Sequence, residues 1–225
     1  MSDEIYFRQI PAGPMANFVY AVGCPRTREC VLVDPAWEVS GLLAALDEDG
    51  MELTGALITH YHPDHCGGSL FGFQAEGLPE LMTRKPVPVH VNEHEAQGLK
   101  QVTGISDSDM VKRSSGDRLR VGDVEVRFLH TPGHTPGSQC FLVENRLVAG
   151  DTLFVQGCGR VDLPGGDSEQ LYESLTRVLQ PLPDDTILYP GHHYGPEASA
   201  PMTEVRQKNF ALQVSSLDDW LRLMG

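Results

Sequence analysis

Short apolar runs of strand length recur along the chain and alternate with stretches of helical periodicity. The runs that predict strands cover residues 19–22, 30–33, 53–59, 87–91, 124–129, 139–143, 146–149 and 186–189. Apolar residues at helical spacing predict helices over residues 39–46, 93–102, 168–180 and 202–223. This order suits two β-sheets packed face to face with helices outside, although an open α/β sheet would show the same pattern.

The chain is predicted to form one domain over residues 1–225, made of two similar halves at about residues 1–115 and 116–225. The pattern is weakest in residues 72–115, which we interpret as an insertion or lid over the first half. Hydrophobic residues make up 40% of the chain and charged residues 21%, which is typical of a globular protein with an apolar core.

Acidic residues outnumber basic ones by 31 to 17, and the formal net charge of −14 restricts the choice of partners. Such a field repels polyanions, so we expect a small-molecule substrate and no nucleic acid. No apolar run is long enough to cross a membrane and no signal peptide is recognisable, so we expect a cytoplasmic protein without membrane contact. The five cysteines form no CxxC pair and fit free thiols. The oligomeric state stays open, with a homodimer as one arrangement.

The densest cluster of metal-ligating side chains follows directly after the predicted strand at residues 53–59. The segment HYHPDH contains His60, His62, Asp64 and His65. Residues two apart in extended backbone project to the same side, so His60 and His62 can reach one metal ion, and the last two ligands can face a second. Imidazole and carboxylate ligands suit divalent zinc, manganese or iron. A polar turn without metal is the alternative, but it would pack titratable groups together at a cost.

Three further motifs place a ligand type at the end of a predicted strand. The turn TPGHTPGS holds His134 between prolines and glycines, which restrict its orientation and reduce the entropy lost on metal binding. Asp151 follows an Ala-Gly pair and has two oxygens with which to bridge two ions. His192 lies in the segment YPGHHYG and would complete a second site. Each motif alone also suits an ordinary turn, but ligands at strand ends along one sheet edge can converge on one cleft.

In their order and spacing these motifs resemble the metallo-β-lactamase superfamily, over about residues 17–209. The resemblance implies an α/β (α+β) fold, an αββα sandwich of two mixed sheets with flanking helices and a metal cleft at one edge. It also implies that Asp151 bridges two ions, whose other ligands are His60, His62 and His134 for the first and Asp64, His65 and His192 for the second. Within the superfamily the chain is most similar to the glyoxalase II group of thioester hydrolases and to the persulfide dioxygenases.

The likeness to glyoxalase II implies a hydrolase that attacks an acyl carbonyl, in a thioester, small ester or lactone, through a hydroxide shared by two divalent ions. Asp64 would orient this hydroxide or accept its proton. Zinc is the favoured metal, with iron and manganese as alternatives. Arg160 and Tyr194 are the candidate substrate-binding residues, although Arg160 equally suits a salt-bridged position in a loop.

A second function stays open because the loop GCGRVD, residues 157–162, resembles a loop of the persulfide dioxygenases in which the arginine helps to bind glutathione. In that case a single ferrous ion would be held by His60, His134 and Asp151. The tail after residue 207 has few of the basic residues with which glyoxalase II contacts glutathione, so a substrate without glutathione is also open. A non-enzymatic protein with a structural metal would need only four ligands, whereas seven candidates favour an open two-metal centre.

Overall fold

Fourteen β-strands lie within residues 5–70 and 72–224, which are the residues described by the computed structural model. The first half of the chain supplies β1 (Tyr6–Ala12), β2 (Asn17–Gly23), β3 (Glu29–Val33), β4 (Glu52–Leu57), β5 (Gly68–Leu70), β6 (Phe73–Ala75), β7 (Val89–Asn92) and β8 (Met110–Arg113). The second half supplies β9 (Arg118–Val121), β10 (Val124–His130), β11 (Gln139–Val143), β12 (Arg146–Gly150), β13 (Ile187–Pro190) and β14 (Ala200–Pro201).

These strands form two six-stranded mixed sheets and one small hairpin, β5-β6, within the described residues. The first sheet has the order β1-β2-β3-β4-β7-β8, antiparallel from β1 to β3 and parallel from β3 onward. The second has the order β14-β13-β12-β11-β10-β9 and is antiparallel except for the parallel pair β12-β13. Each sheet therefore combines strands from one half of the chain.

Helices form the outer layers. They are α1 (Val39–Glu48), α2 (Pro63–Cys66), α3 (Leu78–Arg84) and α4 (Ala96–Thr103) in the first half, and α5 (Ser168–Glu173), α6 (Met202–Lys208) and α7 (Leu217–Met224) in the second. A π-helical segment, Ser174–Leu179, continues α5. In the part of the chain that the structure describes, no helix has the length and apolar character needed to cross a membrane. The layer order of helix, sheet, sheet, helix confirms the predicted αββα sandwich.

An apolar layer between the two sheets holds the sandwich together. Phe18 and Tyr20 from β2 lie in this layer with Phe128 and Phe141 from the second sheet. The rings of Phe128 and Phe141 meet edge to face, with their centroids 5.2 Å apart. Because helices cover the outer faces as well, a central strand such as β2 is buried at every position. This explains why the inner strands appear in the sequence as continuous apolar runs.

The structure differs from the sequence-based elements most clearly near the end of the chain. The predicted helix over residues 202–223 is interrupted at Asn209, whose Oδ1 accepts a hydrogen bond from Ala211 N. The Nδ2 of Asn209 donates to the carbonyl oxygens of Phe154 and Gly157, each over 2.9 Å. These bonds attach the tail to a distant loop, and this tertiary contact outweighs local helical propensity.

Residues 72–115, which the sequence pattern suggested to be an insertion or lid, contain β7 and β8, and these two strands extend the first sheet.

Trp220 connects α7 to the other helices of the second half. Its side chain is fully buried, and its Nε1 donates a hydrogen bond to the Ser168 carbonyl oxygen over 2.7 Å. We expect Trp220→Phe to lower the free energy of unfolding by about 2 kcal/mol, because this carbonyl loses its donor and a small cavity remains. Denaturant unfolding measures the loss, with Leu223→Phe on the exposed side of α7 as the control. Equal stability of both variants would contradict this role of Trp220.

Candidate metal centre

The loops that carry the predicted ligands all begin where a strand ends. β4 leads into residues 60–65, β10 into the turn with His134, β12 into Asp151 and β13 into His192. Because β10, β12 and β13 run in the same direction within the second sheet, their C-terminal ends lie along one edge of the sandwich. The structure brings all seven predicted ligands together at this edge.

The first group of ligand atoms belongs to His60, His62 and His134. One ring nitrogen from each of these residues lies within 4.8 Å of the other two. Nδ1 of His62 and Nε2 of His134 are only 3.0 Å apart. His60 and His134 are almost completely buried, whereas His62 is partly exposed at the surface. This group therefore has one member that faces the solvent side of the site.

The second group consists of Asp64, His65 and His192. The Nε2 atoms of the two histidines are 3.1 Å apart, and Asp64 Oδ2 lies 3.4 Å from His65 Nε2 and 3.3 Å from His192 Nε2. Asp151 reaches both groups, because its carboxylate is 3.4 Å from the Nε2 atoms of His65 and His192 and 3.7 Å from that of His134. This position agrees with a bridging role.

Hydrogen bonds at Nδ1 orient three of the five imidazoles. His65 Nδ1 lies 2.9 Å from the carboxylate oxygen Oδ2 of Asp34. The Nδ1 atoms of His134 and His192 face backbone carbonyl oxygens instead. His134 Nδ1 lies 2.7 Å from the carbonyl oxygen of Arg160, and His192 Nδ1 lies 3.0 Å from that of Met15. Each acceptor holds the proton on Nδ1, so that in the neutral ring the Nε2 lone pair points into the cluster.

Asp34 also orients His60, through Thr59. The Thr59 hydroxyl donates to Asp34 Oδ2, so its oxygen accepts the Nδ1 proton of His60 at 3.0 Å. The backbone nitrogen of Thr59 donates to Asp34 Oδ1 over 2.7 Å. Asp34 was not among the residues predicted for the site. Asp34 has a left-handed backbone, with φ at +52°, and its partners lie 25 and 31 positions further along the chain. Neither feature can be recognised from the residues next to it in the sequence.

The donor set fits divalent metal ions. Among the described residues, His60 Nε2 and Asp151 Oδ1 are buried without a hydrogen-bond partner, which is costly unless another group satisfies them. Lone pairs on facing Nε2 atoms at 3.1 Å also repel each other unless a cation or proton lies between them. Imidazole nitrogen and carboxylate oxygen are the ligands that zinc, iron and manganese share.

The charges of the site favour a cation as well. Desolvation opposes protonation of His65 and His192, but the charges of Asp64 and Asp151 outweigh it. The pKa of His65 is raised to about 9 and that of His192 to about 10. Desolvation also opposes ionisation of Asp151, but the charges of His65 and His192 outweigh it and hold the pKa of Asp151 at about 2. Desolvation opposes ionisation of Asp64 too, but the charge of His65 outweighs it and holds the pKa of Asp64 well below its usual range. The carboxylates of Asp64 and Asp151 therefore stay ionised, and a metal ion competes with protons for the imidazoles.

Known proteins resemble this chain in sequence and in fold. The family model described as "Metallo-beta-lactamase superfamily" matches residues 12–192. The chain belongs to this superfamily. A hydroxyacylglutathione hydrolase of Rhodopseudomonas palustris is 42% identical over 180 residues, which are 79% of this chain and 63% of that relative. The chain thus spans less than two thirds of that hydrolase.

Two solved structures extend the superfamily likeness to nearly the whole chain. The structure of ETHE1 from Myxococcus xanthus superposes with a TM-score of 0.83 at 33% identity and covers 97% of this chain and 89% of its own. The di-iron-bound form of TTHA1623 superposes with a TM-score of 0.73 at 28% identity and covers 90% of this chain and 98% of its own. These similarities confirm the predicted likeness to the group that contains glyoxalase II and the persulfide dioxygenases.

Two glycines allow the superfamily motifs to approach one another. A Cβ atom on Gly191 would lie 2.4 Å from Asp151 Oδ1, which is closer than van der Waals contact permits. A Cβ atom on Gly159 would lie 2.0 Å from the Asp151 carbonyl oxygen and 3.0 Å from the ring of His134. The backbone can therefore pass beside these ligands only where the side chain is hydrogen.

Asn17 and Glu95 also support the ligands, and neither was predicted from the sequence. Asn17 Nδ2 donates to Asp64 Oδ2 over 3.0 Å, which orients that carboxylate. Glu95 is fully buried and accepts from Tyr61 N at 2.8 Å, Gly137 N at 2.6 Å and Thr135 Oγ1 at 2.7 Å. Glu95 therefore connects residues 60–65 to the turn that carries His134. An acidic residue in a polar helical pattern is more typical of an exposed position, so the sequence carried no signal for this role.

We expect Glu95→Gln to lower the free energy of unfolding by about 2 kcal/mol, because the amide nitrogen must face one of the three donors. The metal affinity should fall as well, since the two histidine segments lose their connection. Denaturant unfolding and metal titration measure both effects. Glu93→Gln is a matched control, because Glu93 is exposed and bonds only to the exposed Ser114 hydroxyl among the contacts described for its side chain. Identical behaviour of the two variants would contradict the role of Glu95.

A cleft of about 650 Å³ opens beside the ligands, and both predicted substrate-binding residues line it. The ring of Tyr194 stacks on that of His192, with centroids 4.4 Å apart and an angle of 9° between the planes. Partial burial raises the pKa of Tyr194 to about 12, so its hydroxyl stays protonated and can donate a hydrogen bond. The guanidinium of Arg160 is paired with Asp162, as in the salt-bridged alternative.

Proposed function

We propose that this chain is a metal-dependent hydrolase that cleaves an acyl carbonyl compound, a thioester or a small ester or lactone, with two divalent metal ions, preferably zinc. The observation that carries the proposal is the presence of two separate ligand groups with Asp151 in reach of both. The likeness to a hydroxyacylglutathione hydrolase supports hydrolysis. The size of the cleft supports a small-molecule substrate.

His60, His62 and His134 would hold one ion, and His65 and His192 would hold the other together with Asp64 and the bridging Asp151. Such ions lower the pKa of bound water and polarise a carbonyl oxygen. Asp64, whose carboxylate Asn17 holds in place through a hydrogen bond to Oδ2, orients the attacking water and accepts its proton. Tyr194 offers its hydroxyl proton to a substrate oxygen in the cleft. The water oxygen bonds to the acyl carbon and the carbon–sulfur or carbon–oxygen bond breaks. The leaving group takes the proton that Asp64 had accepted and departs as a thiol or alcohol, and the acyl group leaves as a carboxylic acid.

An iron-dependent glutathione persulfide dioxygenase is the second candidate. It is favoured by residues 157–162, which resemble the dioxygenase loop and line the cleft in part. In this case His60, His134 and Asp151 would hold a single ferrous ion. His134 and Asp151 have ligand atoms 3.7 Å apart, which suits a common ion.

Metal analysis and two activity assays test the proposal against this alternative. The protein is purified from cells grown without added metal, and its metal content is measured beside thioester hydrolysis and oxygen uptake with glutathione persulfide. We expect about two divalent ions per chain, release of thiol from the thioester and no oxygen uptake. About one iron per chain with oxygen uptake and no thioester turnover would replace the hydrolase by the dioxygenase.

A further inference from the structure

Trp37, which lies between β3 and α1, donates a hydrogen bond to the residue that orients Asp64. Its indole Nε1 lies 3.1 Å from Asn17 Oδ1. The other end of the same amide, Nδ2, donates to Asp64 Oδ2 over 3.0 Å and to the Asp64 carbonyl oxygen over 3.1 Å. A chain of hydrogen bonds therefore runs from the indole ring, through a buried amide, to the carboxylate of Asp64.

The chemistry of the two neighbours determines which way round the Asn17 amide stands. An indole nitrogen can only donate a hydrogen bond, and an ionised carboxylate can only accept one. With Oδ1 toward Trp37 and Nδ2 toward Asp64, both ends of the amide are satisfied, whereas the flipped amide would set donor against donor and acceptor against acceptor. Asn17 is 1% exposed, so water has little access to either end. Trp37 thus holds the amide in the orientation that Asp64 requires.

Trp37 is held in this position at a conformational cost. Its φ of +74° lies in the left-handed region, which a bulky side chain rarely adopts. Trp37 N donates to the carbonyl oxygen of Glu76 over 2.8 Å, which fixes the backbone in this conformation. The indole ring lies directly against the backbone of Gly13, where a Cβ atom would be 2.3 Å from Trp37 Cδ2. Backbone strain of this kind occurs where function requires a side chain in one particular place.

We propose that Trp37 is a positioning residue for Asp64: its indole N–H fixes the Asn17 amide, and the amide fixes the carboxylate that accepts the proton of the attacking water. The inference rests on the proposed hydrolase function, in which Asp64 has this role. Among the described residues, those that line the cleft include Asp64 but neither Trp37 nor Asn17. Loss of the indole donor should therefore slow turnover and leave substrate binding unchanged.

Trp37→Phe removes the donor and keeps an aromatic side chain on the same left-handed backbone. In the metal-loaded protein we expect kcat for thioester hydrolysis to fall about tenfold while KM stays the same, because the carboxylate is no longer held in place. Trp220→Phe is the matched control, since it also removes an indole donor, but one that bonds to the Ser168 carbonyl oxygen. It should keep the kcat and KM of the wild type. A wild-type kcat in Trp37→Phe, or a loss that lies wholly in KM, would overturn the proposal.

A double-mutant cycle with Asn17→Ala tests whether Trp37 acts through the amide. Alone, Asn17→Ala is expected to lower kcat at least as much as Trp37→Phe does. In the Asn17→Ala background, Trp37→Phe should lower kcat by less than about twofold, because the amide that it orients is gone. Losses that multiply in the double variant would mean that Trp37 does not act through Asn17 and would contradict the inference. Denaturant unfolding of each protein in the cycle shows that it is folded under the assay conditions.

Zinc binding separates a failure of this inference from a failure of the proposed function, because it needs no turnover. Zinc is titrated into metal-free protein with isotope-labelled indoles, whose two NMR signals are assigned with Trp220→Phe. We expect zinc to shift the Trp37 signal in the wild type but not in Asn17→Ala, and Trp37→Phe to bind zinc about fivefold more weakly than the wild type. With these results and no thioester turnover, only the hydrolase proposal falls. A Trp37 signal that stays unchanged at zinc saturation overturns the inference, whatever the rate of hydrolysis.

Discussion

Replacing Asp64 by alanine is expected to lower kcat/KM for thioester hydrolysis by about 10³-fold. Asp64 Oδ2 lies within 3.4 Å of His65 Nε2 and His192 Nε2, and Asn17 holds it in this orientation. The substitution removes both a metal ligand of the second group and the group that accepts the proton of the attacking water. The loss should therefore appear mainly in kcat, because the other side chains that line the cleft stay in place.

Steady-state kinetics of Asp64→Ala, with metal content measured on the same samples, checks this expectation. Asp185→Ala is a suitable control, because Asp185 is exposed in the turn before β13, at the opposite end of that strand from His192. Asp64→Asn keeps the shape of the side chain but lacks the negative charge, so it should also be strongly impaired. Wild-type turnover in metal-loaded Asp64→Ala would remove Asp64 from the mechanism and would contradict the proposed two-metal site.

Asp34→Ala is expected to lower the free energy of unfolding by about 4 kcal/mol and the metal affinity by about 10- to 100-fold. The Asp34 carboxylate accepts hydrogen bonds from Thr59 N, Thr59 Oγ1 and His65 Nδ1, and all of these donors are buried. Alanine would leave them without an acceptor and would also adopt a left-handed backbone at φ +52°, which costs about 1 kcal/mol more. His65 and, through Thr59, His60 would then be free to turn their rings.

Denaturant unfolding of the metal-free protein measures the stability loss, and zinc titration against a competing chelator measures the affinity. Asp34→Asn is the matched variant, because asparagine tolerates the left-handed backbone and keeps one acceptor oxygen. We expect it to lose less stability than Asp34→Ala but still to bind zinc more weakly than the wild type. If both variants bound zinc as tightly as the wild type, Asp34 would have no part in orienting His60 and His65.

Much of the fold was predictable because the inner strands are buried on both faces. The apolar run at residues 139–143 corresponds to β11 (Gln139–Val143), and the run at 30–33 lies within β3. The edge strand β9 (Arg118–Val121) went unpredicted, because it is short and carries exposed basic residues that interrupt the apolar pattern. The break in the predicted C-terminal helix depends on bonds from Asn209 to a loop more than 50 positions earlier.

The candidate ligand residues could all be predicted from the sequence itself. His60 to His65 lie within six positions, where local spacing controls their direction, and His134, Asp151 and His192 each follow a strand that apolar periodicity reveals. Only the tertiary structure decided which ring nitrogen faces the cluster, since Asp34 and two backbone carbonyls from distant segments hold the protons on Nδ1. It also decided that Arg160 and Tyr194 line the cleft beside these ligands. Hydrogen-bond partners and local charge depend on groups brought together by folding, and no pattern along the chain records those distances.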